Sequence, residues 1–165
     1  MNDLIFILLG SNLGDRHSNL NYARLEIGRL IGKIITTSSI YKTAAWGQME
    51  QPDFYNQVIE IRSALSPEKM LSIVKNIEKK AGRVREEKWG PRIIDIDILF
   101  YGDYIIASDT LVIPHPHIPD RRFTLLPLAE IAYDFIHPVN KKSVNQMLDA
   151  CTDKLAVEKL PGFYP

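Results

Sequence analysis

The run Ile93-Ile94-Asp95-Ile96-Asp97-Ile98-Leu99-Phe100 constrains this chain most, because it reads as a buried strand that carries two carboxylates. Side chains alternate across a strand, so Asp95 and Asp97 face one way while Ile94, Ile96, Ile98 and Phe100 face the other. A half-buried strand ordinarily offers Thr, Tyr or Val at such positions. Two bare carboxylates about 6 Å apart, at an effective dielectric of about 20, repel by about 3 kcal/mol. Something cationic should offset that cost. Oxygen donors without His or Cys suit a hard ion such as Mg²⁺, held by carboxylates together with substrate phosphates.

An isolated Asp-x-Asp also fits an exposed strand face paired with Arg or Lys. The residues just upstream decide between the two. Arg83, Arg85, Lys88 and Arg92 crowd a stretch that Gly82, Gly90 and Pro91 mark as a loop. Arginine forks match phosphate oxygens, and a divalent ion neutralises the charge they leave. A basic loop feeding a carboxylate strand therefore reads as a metal–polyphosphate site.

Composition narrows the partners. Twenty basic residues balance twenty acidic ones, so no global field draws in nucleic acid or an anionic membrane. At 165 residues the chain suits one domain, residues 1–165, and can bury about 70% of its unfolded surface. The single cysteine, Cys151, excludes an internal disulfide and reads as a small buried hydrophobe. The apolar run Leu4–Leu9 lacks the basic leader, length and cleavage site of a signal peptide, and no segment is long enough to span a bilayer. The expectation is a cytoplasmic protein, monomeric for want of a long apolar surface helix.

Leu4–Leu9 reads as a buried strand ending at Gly10. A turn at Ser11–Asp15 then opens a helix with apolar positions at Leu20, Ala23, Ile27, Leu30 and Ile31, closed near Gly32. Ile34–Tyr41 and Phe54–Ser63 are β-branched or alternating strands. Ser66-Pro67-Glu68 starts a second helix whose stripe is Met70, Leu71, Val74, Ile77 and Ala81. With Ile94–Tyr101 the order is β-α-β-β-α-β, which predicts a ferredoxin-like α/β sandwich. A short hairpin at 104–113 and helices near 124–131 and 144–151 complete the expected α+β fold.

Three further segments carry candidate chemistry. The polar stretch Thr43–Asp53 is too long for a tight hairpin and reads as a binding loop. Phe54 and Asn56 follow on one strand face, an aromatic plate beside an amide that suits a flat heterocycle; taken alone, Phe54 reads first as a core residue. Pro114-His115-Pro116-His117 is stiffened by proline, but no third His or Cys lies nearby for zinc. A fixed hydrogen-bonding or phosphate-contacting His115 and a structural one both stay open. Gly10-Ser11-Asn12-Leu13-Gly14 lacks the spacing of a phosphate loop and reads as a tight strand-to-helix turn, with Asn12 bracing neighbouring loops.

Together these segments resemble the 6-hydroxymethyl-7,8-dihydropterin pyrophosphokinases of folate biosynthesis. The likeness runs from Gly10-Ser11-Asn12 through Gln51-Pro52-Asp53-Phe54-Tyr55-Asn56 and Gly82-Arg83-Val84-Arg85 to Pro114-His115-Pro116, Arg121 and Phe123. Its most specific block is Trp89-Gly90-Pro91-Arg92-Ile93-Ile94-Asp95-Ile96-Asp97. The resemblance implies transfer of the β,γ-diphosphate of ATP to the pterin hydroxymethyl group, with release of AMP. It implies that Asp95 and Asp97 hold two Mg²⁺ ions and that Arg83 and Arg92 stabilise transition-state charge. Arg85, Trp89, Arg92, His115 and Arg121 would contact ATP, with Glu78 and Ile98 also near the nucleotide. Phe54 and Phe123 would sandwich the pterin, and Thr43, Trp46 and Asn56 would meet its edge. Phe54 stands where many relatives carry Tyr, and Lys88 where some carry Arg. The rival expectations are Mg²⁺-dependent nucleotidyl transfer, which would release pyrophosphate, and a non-catalytic nucleotide-binding module. Nucleotidyl transfer normally sets Gly-Ser and Asp-x-Asp close together, whereas Ser11 and Asp95 are 84 positions apart, and a binding module gives no reason for paired aspartates opposite Arg83 and Arg92.

Overall fold

The computed structural model describes residues 3–44, 50–82 and 93–162. Strand β1 (Asp3–Ser11) is an interior strand of the sheet, and its apolar stretch follows from that position, since both of its faces are covered. It pairs antiparallel with β4 (Phe54–Ser63) on one side and β5 (Asp95–Tyr101) on the other. Beyond β4 lie β2 (Lys33–Thr37) and β3 (Tyr41–Thr43), and β3 in turn pairs with β8 (Val157–Lys159). A two-residue hairpin, β6 (Ile106–Ala107) with β7 (Val112–Ile113), stands apart.

Helices α1 (Arg16–Leu30) and α2 (Pro67–Lys80) cover one face of the sheet. Asp15 caps the first by accepting from the Ser18 amide at 3.1 Å, and Ser66 with Pro67 starts the second. Leu20, Ala23 and Ile27 of α1 and Met70, Val74 and Ile77 of α2 close over Ile5, Ile7, Leu9, Ile59, Ile61, Ile96 and Ile98. The other face carries α3 (Arg122–Ala132) and α4 (Val144–Ala150), the latter opened by a reciprocal Ser143–Gln146 capping box. Their Leu125, Leu128, Val144 and Met147 pack on Phe6, Leu8, Val58, Leu99 and Phe100.

Three sequence expectations need correction. The strand expected over 34–41 is two strands, because the Ser38 hydroxyl takes the Val58 amide (3.0 Å) while the Gln57 amide takes the Ser38 carbonyl (2.7 Å). Side chains thereby replace ladder partners and bend the strand. Phe100 does not share a face with Ile94, Ile96 and Ile98. A register shift pairs Phe6 with Phe100 but Ile7 with Ile98, so the bulge carries Phe100 into the α3/α4 core. The edge strand β8 was not anticipated. Its anchors are non-local: the Leu160 amide on the Ile40 carbonyl at 2.9 Å, and Lys159 beside Glu130 at 3.7 Å.

Candidate functional site

The register of the sheet gathers the candidate residues. Asp97 lies opposite Leu8, and Leu8 opposite Val58; one row further along, Asp95, Gly10, Asn56 and Tyr41 stand side by side on four strands. Phe54 and Thr43 form the next pair. Opposed residues of paired strands share a face, so Asp95, Asp97, Asn56, Phe54 and Thr43 all emerge on the α3/α4 side. The apolar cluster of that side reaches Leu8 and Val58, and the row beyond it is polar. Adjacent strands are about 4.8 Å apart, which sets Asp95 about 10 Å from Asn56 across Gly10.

Gly10 keeps that row open. A Cβ there would stand 2.8 Å from Asn56 Oδ1 and 3.7 Å from the Phe54 ring. Asn56 is 3% exposed, and its Nδ2 has no hydrogen-bond partner among the described residues. A buried amide donor left unmade costs about 1–3 kcal/mol, so this atom marks a place where a ligand acceptor would be favoured. Thr43 is buried beside Phe54, its hydroxyl 3.4 Å from the Ala44 carbonyl.

The acidic end is walled by the segment after β7. His115 follows the cis Ile113–Pro114 bond, and its backbone amide donates to Leu99 O at 2.9 Å, tying this turn to the bulge in β5. Its Nδ1 accepts from the His117 amide at 3.2 Å, which leaves the neutral ring's proton on Nε2. Burial, then the charge of Arg121 and the ring of His117, push its pKa down to about 4, with Asp95 pulling the other way. His115 is thus a fixed neutral donor. Arg121 is itself buried, which pulls its pKa down, while Asp97 and then Asp95 hold it up. Its guanidinium lies 5.7 Å from the centre of the Phe123 ring. Two carboxylates, a buried cation and a neutral imidazole therefore share one end of the row, and an aromatic ring and an unsatisfied amide the other.

Polar clips hold the chain on either side of the site. The Ser11 hydroxyl donates to the Ile93 carbonyl and accepts from Asn19 Nδ2 at 3.0 Å. Asn12 Nδ2 reaches both Gln51 Oε1 and the Pro52 carbonyl at 3.2 Å, the bracing expected of it. Glu78 is buried on α2, and its carboxylate accepts from the Ile96 amide at 2.8 Å. Ile98 sits in the α1/α2 core, so neither of these side chains shares the face of the acidic pair. Arg83, Arg85, Trp89, Arg92 and Trp46 lie outside the described residues. Sequence reading missed the Ser11–Ile93 clip and the Arg16 contacts described below; both join residues far apart in the chain, and no local pattern announces them.

An antiparallel α+β sheet with an acidic pair, a buried arginine and an aromatic–amide shelf on one face defines the class of site. The family is shown by sequence. The model of the 7,8-dihydro-6-hydroxymethylpterin-pyrophosphokinase (HPPK) family matches residues 6–133, and the chain belongs to this family. It is 39% identical over 157 residues to the 2-amino-4-hydroxy-6-hydroxymethyldihydropteridine pyrophosphokinase of Haemophilus influenzae, covering 94% of this chain and 98% of that one. The enzyme of the same name from Synechocystis is 42% identical over 142 residues, covering 86% of this chain and 72% of that one. The folic acid synthesis protein fol1 of Pneumocystis carinii is 39% identical over 163 residues, or 99% of this chain, but the chain spans only 22% of that protein. A Plasmodium falciparum HPPK-DHPS crystal structure with pterin and p-hydroxybenzoate superposes with a TM-score of 0.73. At 18% identity, covering 90% of this chain and 43% of that one, this likeness speaks for the fold alone.

Proposed function

We propose that this protein transfers the β,γ-diphosphate of ATP to the hydroxymethyl group of 6-hydroxymethyl-7,8-dihydropterin, producing the pterin diphosphate and AMP for folate synthesis. The observation that carries the reading is the unsatisfied Asn56 amide, buried beside Phe54 and in the same row as Asp95, across Gly10. A flat ring with hydrogen-bonding edges fits against Phe54 and Asn56, with Phe123 and the edge of Thr43 completing the shelf. Its exocyclic hydroxymethyl would then extend along the Gly10 row toward Asp95 and Asp97.

Asp95 and Asp97 are half-buried on one face, and their oxygens are the donor type a hard divalent ion takes. Among the described residues no group of three or more His, Cys, Asp or Glu gathers. The pair therefore suits ions that complete their coordination with phosphate oxygens and water, and two Mg²⁺ is the assignment we make. Bound there, such ions would polarise the phosphates and orient the acceptor hydroxyl. Arg121 supplies a buried positive charge beside the carboxylates, and His115 a neutral Nε2–H donor for the nucleotide. We assign Arg83 and Arg92 to transition-state charge, and Arg85, Trp89, Glu78 and Ile98 to the nucleotide's surroundings, with Trp46 at the pterin edge. A primary alcohol is a weak nucleophile, so alignment contributes more than a dedicated base.

The balanced net charge supports small-molecule substrates rather than nucleic acid. No helix among the described residues is long and apolar enough to cross a membrane. We assign the protein to the cytoplasm, as a monomer, with residues 1–165 forming one domain. Incubation with ATP, Mg²⁺ and the pterin tests the reaction through its nucleotide product. Pterin-dependent AMP, with the diphosphate recovered on the pterin, is expected. ADP or pyrophosphate would contradict the reading.

A further inference from the structure

Arg16, the first residue of α1, lies on the opposite face of the sheet from the site, yet it touches the chain on both sides of Phe54. Its Nη1 donates to the Asp53 carbonyl at 2.8 Å. Its Nη2 donates to the Tyr55 hydroxyl at 3.3 Å, and the guanidinium carbon stands 3.9 Å from the centre of the Tyr55 ring. The His17 ring packs edge-on against the same ring at 5.0 Å. Tyr55 pairs with Ser11 and points to the α1/α2 side, whereas Phe54 between the two contacts points to the acceptor shelf.

This geometry defines a clamp. The Phe54 ring is aimed by the backbone between Asp53 and Tyr55, and one rigid guanidinium holds the Asp53 carbonyl directly and Tyr55 through its ring and hydroxyl. A guanidinium can donate from two nitrogens while its charge stays over an aromatic ring, which a single ammonium cannot reproduce. Asp15 fixes where α1 begins, by accepting from the Ser18 amide and hydroxyl, so the clamp is anchored to the helix frame. Asn12 meanwhile holds Gln51 and Pro52 from the turn before it. The entry to β4 is thus fastened from behind the sheet.

We infer that Arg16 is a positioning residue for acceptor binding: by clamping Asp53 and Tyr55 it sets the plane of Phe54 on the far face. The inference rests on the proposed pterin reading of that shelf. Its test compares Arg16→Met and Arg16→Lys with wild type under saturating Mg²⁺. Arg16→Met should raise KM for the pterin about tenfold, with kcat and KM for ATP within about twofold, since misplacing a binding surface costs ground-state affinity. Arg16→Lys should not rescue it, because an ammonium keeps the charge but loses the fork. Tyr55→Leu, which removes the platform and keeps Arg16, should reproduce the rise if the arginine variants fold poorly. In a Phe54→Leu background Arg16→Met should change KM by less than about twofold, as expected for residues that act through one another. Hydrogen exchange of the 53–55 amides should also speed up in Arg16→Met, while the second half of α1 keeps its protection.

Additive effects with Phe54→Leu, full rescue by Lys, or unchanged exchange at 53–55 would each overturn the clamp. Wild-type protein that makes no pterin-dependent AMP would instead sink the functional reading, and the exchange comparison would still decide whether the clamp exists.

Discussion

The two faces of this sheet are made from the same strands and the same alternation, yet one is a closed core and the other ends in a site. On the α1/α2 face, Ile5, Ile7 and Leu9 are all 0% exposed along β1. On the opposite face Phe6 and Leu8 are covered, and the next position is Gly10, flanked by Asp95 and Asn56. Helix length accounts for much of the contrast. α1 and α2 contain 15 and 14 residues, whereas α3 and α4 contain 11 and 7. At 1.5 Å per residue the first pair runs about 21–22 Å and the second about 16 and 10 Å. Strand ends left beyond the apolar cluster then carry the polar residues that chemistry requires. Where the second layer stops, function begins.

The contrast fails most sharply if the polar row proves structural. Asp97→Ala should lower kcat by about a thousandfold or more, as loss of an electrostatic anchor in phosphoryl transfer would. Its unfolding midpoint should stay close to wild type, because one of two half-buried like charges is removed. Wild-type turnover in a metal-saturated steady-state assay would contradict the site. The complementary change on the closed face is Ile7→Ala, which should cost about 2–5 kcal/mol in urea unfolding while the folded fraction keeps its KM values. A stability loss below about 0.5 kcal/mol would contradict that face's role as the core.

Gly10→Ala probes the boundary between the two. The new Cβ would meet Asn56 Oδ1 at 2.8 Å, so the amide must turn, and KM for the pterin should rise about tenfold with about 1–3 kcal/mol of overpacking cost. Unchanged pterin affinity, read by calorimetry, would show that Asn56 is free to move aside.

The smallest effect expected is a pH dependence. His115 has a pKa near the ordinary 6.5 when unfolded and about 4 when folded. Between those values the unfolded chain binds a proton that the folded one refuses, so stability falls as pH drops from about 6.5 to about 4 and its contribution levels off below. Burial lowers the pKa of His137 too, adding a loss of the same sign. His115→Gln should flatten part of the slope in urea midpoints measured across that window. An imidazole that titrates near 6.5 by NMR would remove the effect.

Much of this was legible in the chain. Asp95, Asp97, Phe54 and Asn56 could be assigned to faces because strand alternation is local, and the helix starts at Asp15 and Ser66 because capping is local too. That Asp95 and Asn56 would flank Gly10 required the register, a long-range fact. The bulge that turns Phe100 over, the Ser38 break and β8 escaped for the same reason: each depends on a partner strand. Glu78 shows the limit from another side. The resemblance places this buried carboxylate near the nucleotide, but its bond to the Ile96 amide, which holds β5 from the α1/α2 side, depends on a partner strand that no local pattern announces.

The most direct measurement is a paramagnetic map, with Mn²⁺ added to the labelled protein in the presence of a non-hydrolysable ATP analogue. Amide signals should broaden first at Asp95 and Asp97, then at Gly10 and His115, with α1 beyond its first turn and the outer face of α2 left sharp. Broadening centred away from β5, or spread evenly over surface carboxylates, would contradict a metal–phosphate site at the end of this sheet.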